Sequence, residues 1–235
     1  MALSILNNIP SLIAENQLGI TNSNLQNTLT QLSSGSRINS GADDPAGLAI
    51  ANGLEANVAA LTQSVANAND GVGALQVADG ALGQVTTVLD RAITLATEAS
   101  TGTVSSAQRG ALDDEYQQIL QQIDSIGTNT TFNGATVFST TAASTTSVFL
   151  SDSSSAGTNT IGVSVNALST TALALNGTAL TGTPGSGGDT DPEATLTAIN
   201  AAISTVALDR GTIGAGINRL QDASNVTNTE IQNVT

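Results

Sequence analysis

Chemistry in this chain would have to come from carboxylates. Asp43-Asp44 and Asp113-Asp114 are adjacent acid pairs, the groups that elsewhere exchange protons or hold a divalent cation. His, Cys and Lys are all absent, which removes the usual general base, the thiol nucleophile and the common zinc ligands. An HExxH zinc motif is therefore impossible. GVGALQ from Gly71 and GAGINR from Gly214 carry glycines without the spacing of a phosphate loop. Neighbouring acids on a helix point in different directions. Both pairs also fall near expected helix starts, where an acid stabilises the positive end of the helix dipole. The reading is a protein that is not an enzyme and uses no cofactor and no metal. Asn129, Asn176 and Asn225 open Asn-X-Thr triplets, a sugar-acceptor pattern short enough to arise by chance.

The elements that carry these residues are dominated by small aliphatic side chains. Aromatics are limited to Tyr116, Phe132, Phe138 and Phe149, so the apolar content rests on Ala, Val, Leu and Ile, which suit narrow seams between helices. The 235 residues carry a net charge of −14. Such a chain does not neutralise nucleic-acid phosphates and offers no basic face to anionic lipid, so neither nucleic acid nor membrane is an expected partner. No apolar run approaches the roughly 20 residues that cross a bilayer. MALSILNNIPSLIAENQ lacks the basic lead and apolar core of a secretory signal. Composition alone therefore points to the cytosol, although an uncleaved, non-standard export signal leaves no such mark.

Four helices are expected. The first covers about Ser4 to Ser33, with Leu18, Leu25, Leu29 and Leu32 on one stripe. Its start is less regular because Pro10 would break an established helix, so this end is expected to be poorly ordered unless a partner covers it. The segment from Ser33 to Asp44 is a polar joint. Asp44 caps and Pro45 opens a long helix reaching about Ala99. Its stripe runs Ile50, Leu54, Val58, Leu61, Val65, Ala68, Val72, Leu75, Ala78, Leu82, Val85, Leu89, Ala92 and Ala96. After a short turn, a third helix from about Ala107 to Ile126 folds back antiparallel on the second, presenting Leu112, Tyr116, Ile119, Ile123 and Ile126. Asp191-Pro192-Glu193 opens the last helix, whose apolar pattern is still running at Thr235 without a glycine cap, as if the chain were cut there.

The middle differs. Asn133-Gly134 between TTF and ATVF signals a hairpin, because both residues accept positive φ. SVFLS and TIGVSVNAL alternate like strands. This region is expected to be short strands and loops, exposed and tolerant of change, with disorder over Thr140 to Gly188 as the alternative. The fold class is then mainly α: an elongated antiparallel helical rod, a coiled-coil-like bundle, with a small β-rich region at one end. The stripes on the second, third and last helices must be buried together. The Leu18–Leu32 stripe has no counterpart left. It either meets another copy of the chain or folds onto the bundle.

The blocks ALSILNNIPSLIAENQL, LSSGSRINSGADDPAGLAIAN, NANDGVGALQVADGAL, IDSIGTNTTFNGATVF and LTAINAAISTVALDRGTIGAGINRLQDASNVTNTEI, in this order, resemble bacterial flagellin over nearly the whole chain. The resemblance implies a structural subunit of the flagellar filament that packs with other flagellin subunits into a helical homopolymer and gives motility. It implies secretion to the extracellular bacterial flagellum through the flagellar type III export apparatus, by an uncleaved N-terminal signal. It divides the chain into residues 1–43, a filament-core helix and joint; residues 44–138 with 189–235, a helical rod domain ending in the hairpin; and residues 139–188, a variable Ser/Thr/Gly-rich region. Family members continue beyond the position of Thr235 into a terminal helix that pairs with the first one. The resemblance then implies that the segment that binds the export chaperone is missing with it. Many flagellins are ligands of a vertebrate Toll-like innate immune receptor, and the matching positions here are Arg91, Leu95 and Glu115. Self-assembly maps to Leu18, Leu25, Leu29 and Leu32. The alternatives are a hook–filament junction protein and another coiled-coil surface adhesin.

Overall fold

The computed structural model describes residues 8–139, 142–151 and 160–235. In chain order these form α1 (Ile9–Ser34), α2 (Pro45–Ala99), α3 (Ser106–Asn129), β1 (Thr131–Phe132), β2 (Ala135–Thr136), β3 (Ser144–Phe149), β4 (Thr160–Val165) and α4 (Pro192–Val234). Among the described residues the fold is mainly α with two small antiparallel strand pairs. Two compact units divide between Asn57 and Val58, inside α2. The expected first helical turn from Ser4 lies outside the described residues.

In the first unit, the described part of α1 opens at Ile9. Asn8 caps it by accepting the Ser11 amide at 3.4 Å, and Pro10 sits in the first turn, where its missing N–H costs nothing. Pro10 therefore starts the helix and does not break one. Gly35 closes it at φ 70°, the left-handed value that ends helices. In the joint that follows, the Asp43 carboxylate collects the amides of Asn39 and Ser40 and the Ser40 hydroxyl. Asp44 accepts the Gly47 amide at 2.9 Å, the expected cap ahead of Pro45. Ile50 and Leu54, expected within the buried stripe, are 64% and 40% exposed. Burial on α2 starts at Leu61, where the covering elements of the second unit begin.

In the second unit, α2 runs antiparallel to both α3 and α4. Arg91 on α2 meets Glu115 on α3, and Asp79 on α2 meets Arg210 on α4. The seam contains Leu75, Leu82, Val85, Leu89 and Ala96 from α2, Tyr116, Ile119 and Ile123 from α3, and Ile199, Val206, Ile213 and Leu220 from α4. Helix α3 opens with a reciprocal capping box between Ser105 and Gln108. Asp191 caps α4 ahead of Pro192, as expected.

The hairpin expected at Asn133-Gly134 is present, with φ 50° and 78° at its two turn residues and Phe132 paired with Ala135. Strand β3 pairs with β4 from Ser144↔Val165 to Phe149↔Thr160. This pair does not sit beyond the helix tips. Its inward Val148 and Val163 rest on Gly71 of α2 and Gly216 of α4, where a Cβ would come within 2.6 Å of a valine methyl in each case. The glycines of GVGALQ and GAGINR thus serve close packing inside helices.

The stretch after β4 is not the exposed segment expected of the middle region. It runs along α3 as a strap: Thr170 meets Asp124, Thr178 meets Tyr116 and Gln117, and Leu180 meets Asp113. Leu168, Leu175 and Leu180 are at most 2% exposed and join the core. The strap packs along α3 without forming a helix or a strand. It can do so because α3 side chains bind its main chain, which would otherwise be buried without partners. Residues 140–141 and 152–159 of the expected 139–188 region lie outside the described residues.

Candidate functional site

Three of the four paired carboxylates, Asp43, Asp44 and Asp113, accept backbone amides. Asp43 and Asp44 organise the joint, and hydrogen bonds from Ser40 and Asn39 hold the Asp43 carboxyl below the ordinary range. Asp113 accepts the Leu180 amide at 2.8 Å. Asp124 accepts the Thr170 amide at 2.7 Å and its hydroxyl at 3.0 Å. Among the described residues, no group of three or more candidate ligands could hold a metal ion.

Between those two clips lies the one tyrosine. Tyr116 Oη and Thr178 Oγ1 are 2.6 Å apart, and Thr178 Oγ1 donates to the Leu175 carbonyl at 2.7 Å. A hydroxyl has one proton, so Tyr116 is the donor and a two-step relay ends on the strap backbone. Burial pushes the Tyr116 phenol above its ordinary value; the Thr178 hydrogen bond opposes the shift and the nearby Asp113 charge adds to it. Sequence reasoning missed this strap. A signal existed: Asp113 and Asp124 are three helical turns apart and share a face of α3.

Two surfaces correspond to the expected contact sites. The first is α1, none of whose described residues is buried. Leu18, Leu25, Leu29 and Leu32 are 70%, 55%, 55% and 79% exposed, and Ile9, Leu12, Ile13 and Ile20 are at least half exposed as well. A row of large aliphatic side chains left in water is unfavourable by about 25 cal/mol for each Å² that a partner could cover.

The second surface joins α2 to α3. Arg91 Nε donates to Glu115 Oε1 at 2.8 Å, with the two side chains 58% and 46% exposed. Leu95 is not part of this surface. It is 1% exposed and belongs to the core, whereas the resemblance places it with the contact residues. A step of four residues turns the helix about 40° past a full turn. That is enough to carry the shorter side chain into the seam beside Leu89, Ala92 and Ala96, while the long Arg reaches solvent.

Helices sharing a narrow aliphatic seam, acids spent on backbone amides and an apolar helix face left open together describe a structural, helix-packing protein. No helix among the described residues is long and apolar enough to cross a membrane. The family model of the bacterial flagellin N-terminal helical region matches residues 5–143. The phase 1 flagellin of Salmonella naestved and the flagellin of Salmonella budapest are each 42% identical over 139 residues, covering 59% of this chain. The chain spans 28% of the length of those relatives. The crystal structure of Bacillus cereus flagellin is similar with a TM-score of 0.56 and 30% identity, over 68% of this chain and 88% of that one. A protein described as flagellar hook-associated, from Vibrio parahaemolyticus, shares the fold at a TM-score of 0.65 and 17% identity, over 83% of this chain and 97% of that one. The chain belongs to the flagellin family.

Proposed function

We propose that the chain is a structural subunit of the bacterial flagellar filament, exported to the cell exterior by the flagellar apparatus and packed against other copies of itself to drive motility. The observation that carries this reading is α1: a 26-residue helix with four leucines on one stripe and no buried residue. A helix in that state gains its stability from tertiary or intermolecular packing. Leu18, Leu25, Leu29 and Leu32 are the residues assigned to the contact between copies. With a net charge of −14, assembly quickens as salt screens repulsion over roughly 10 Å at 0.1 M. The test is expression of the gene in a non-motile strain of a flagellated bacterium whose own flagellin has been deleted. Filaments by electron microscopy, lost on Leu25→Asp with Leu29→Asp, support the proposal; filaments unaffected by that double change refute it.

Arg91 and Glu115 carry a second reading, recognition by a vertebrate Toll-like innate immune receptor. Both are exposed, adjacent and on neighbouring helices, so one partner can engage them together. Leu95 supports them from below. Replacing both charged residues by Ala lowers receptor activation in a reporter cell; unchanged activation removes the assignment. A hook-associated role is the alternative that the shared fold with the Vibrio protein keeps open, and short junction-restricted assemblies in place of long filaments would favour it.

A further inference from the structure

The sequence contains three Asn-Gly pairs, and the structure places them in three different conformations. Asn52-Gly53 lies inside α2, where the helix fixes the amide. Asn133-Gly134 forms the two-residue turn that joins the paired strands β1 and β2. Asn176-Gly177 forms a turn in the strap, with Gly177 at φ 84° and both residues exposed.

An Asn followed by Gly is chemically labile. The Gly amide nitrogen attacks the Asn side-chain carbonyl carbon, a C–N bond forms, and the side-chain nitrogen leaves as ammonia with the displaced proton. Water then opens the cyclic imide. Opening at the side-chain carbonyl gives aspartate, and opening at the main-chain carbonyl gives isoaspartate. The net change is one water consumed and one ammonia released, with no oxidant or reductant. Asn is counted among the thermolabile residues for reasons of this kind. The reaction needs the following residue to be small and the turn to be free to rotate.

We infer that Asn176 is a self-modification site, and that its conversion to isoaspartate releases the strap from α3. Three observations converge on it. A Cβ at Gly177 would meet nothing within 4 Å, so space for the ring is open. The main-chain hydrogen bond across the turn, Thr178 N–H to the Leu175 carbonyl, is long at 3.3 Å, beyond the usual N–H···O range, and the remaining tie to that carbonyl is the Thr178 hydroxyl at 2.7 Å. Asn133, by contrast, is locked at φ 50° between paired strands, with the Phe132 ring seated against Gly73 and a further bond from the Val137 amide to Thr130.

The position of Asn176 gives the reaction its effect. Leu175 is fully buried on one side, and Thr178 is held by Tyr116 and Gln117 on the other. Isoaspartate inserts one additional carbon into the main chain between these two anchors and adds a negative charge. The anchors cannot both be kept, and Thr178 is the one on the weaker, partly exposed side. Tyr116 is the sole tyrosine and tryptophan is absent, so its absorbance and emission report this contact alone.

The intact chain is incubated at mildly alkaline pH and sampled by peptide mass spectrometry at all three Asn-Gly pairs, with isoaspartate identified by enzymatic methyl transfer. The expected order of modification is Asn176 first, Asn133 later and Asn52 last. The Tyr116 signal should move toward that of exposed tyrosine in step with isoaspartate at 176. Asn176→Gln should hold the Tyr116 signal constant through the incubation, and Asn176→Asp, which adds charge without lengthening the chain, should also leave it native. Earlier modification at Asn133 or Asn52, or an unchanged Tyr116 signal in isoaspartate-containing protein, overturns the inference.

Discussion

Gly127→Ala tests the packing of the strap directly. Gly127 sits near the end of α3, and a Cβ there would be driven into the Leu168 carbonyl oxygen, with the carbonyl carbon at 3.1 Å and the Leu168 Cβ at 3.4 Å. The obstacle is backbone, so no rotamer change relieves it. Leu168 itself is 2% exposed and cannot move outward without opening the core. Overpacking of this kind costs about 2 kcal/mol, within the usual span of 1–3. For a unit of this size that is a fall in melting temperature of about 4–8 °C. The opposite sign is expected at Gly80 and Gly83 in α2, where a Cβ meets nothing within 4 Å. There Ala removes glycine's entropy and stabilises the helix by about 0.5–1 kcal/mol. Thermal unfolding by circular dichroism, with tyrosine emission followed in parallel, measures both. The reasoning is refuted if Gly127→Ala melts at or above the parent temperature while Gly80→Ala behaves as stated.

The phenol of Tyr116 is raised above its ordinary value, so the folded state favours the neutral form. Its stabilising contribution is full below about pH 10 and is lost as pH rises through the higher folded-state value, and spectrophotometric titration should show Tyr116 ionising together with unfolding. Asp191 has the opposite sign. The amide of Gly187, followed by those of Glu193 and Gly185, holds its carboxylate below the ordinary range. That stability is present above about pH 4 and disappears as pH falls through the lower folded-state value, so Asp191→Asn should flatten the acid limb of a stability–pH curve. The Asp79–Arg210 pair, with side chains 40% and 42% exposed, should matter little. Arg210→Ala is expected to cost less than about 1 kcal/mol, and less still at high salt in chemical denaturation.

Periodic features were legible in the sequence. The stripe from Leu61 to Ala96 follows the helical repeat, and Asp44-Pro45, Asn133-Gly134 and Asp191-Pro192 mark their caps and turn by local chemistry. The strap was not legible, because Leu168, Leu173, Leu175 and Leu180 follow neither a helical nor a strand repeat. Their burial depends on Asp113, Asp124 and Tyr116, which are distant in sequence. Leu95 lies one four-residue step beyond Arg91 and yet faces the seam. The side chains differ in length and the helix turns past the repeat, so one reaches water and the other the seam. Ile50 and Leu54 continue the stripe in sequence yet stay exposed, which periodicity cannot distinguish from burial.

The central claim is that copies of this chain meet through the apolar face of α1. Amide hydrogen exchange over Ile9–Ser34 in dispersed and in polymerised protein measures that contact most directly. Rapid exchange in the dispersed chain and strong protection after polymerisation, centred on Leu18 to Leu32, is the predicted result. Equal exchange in the two states would contradict it.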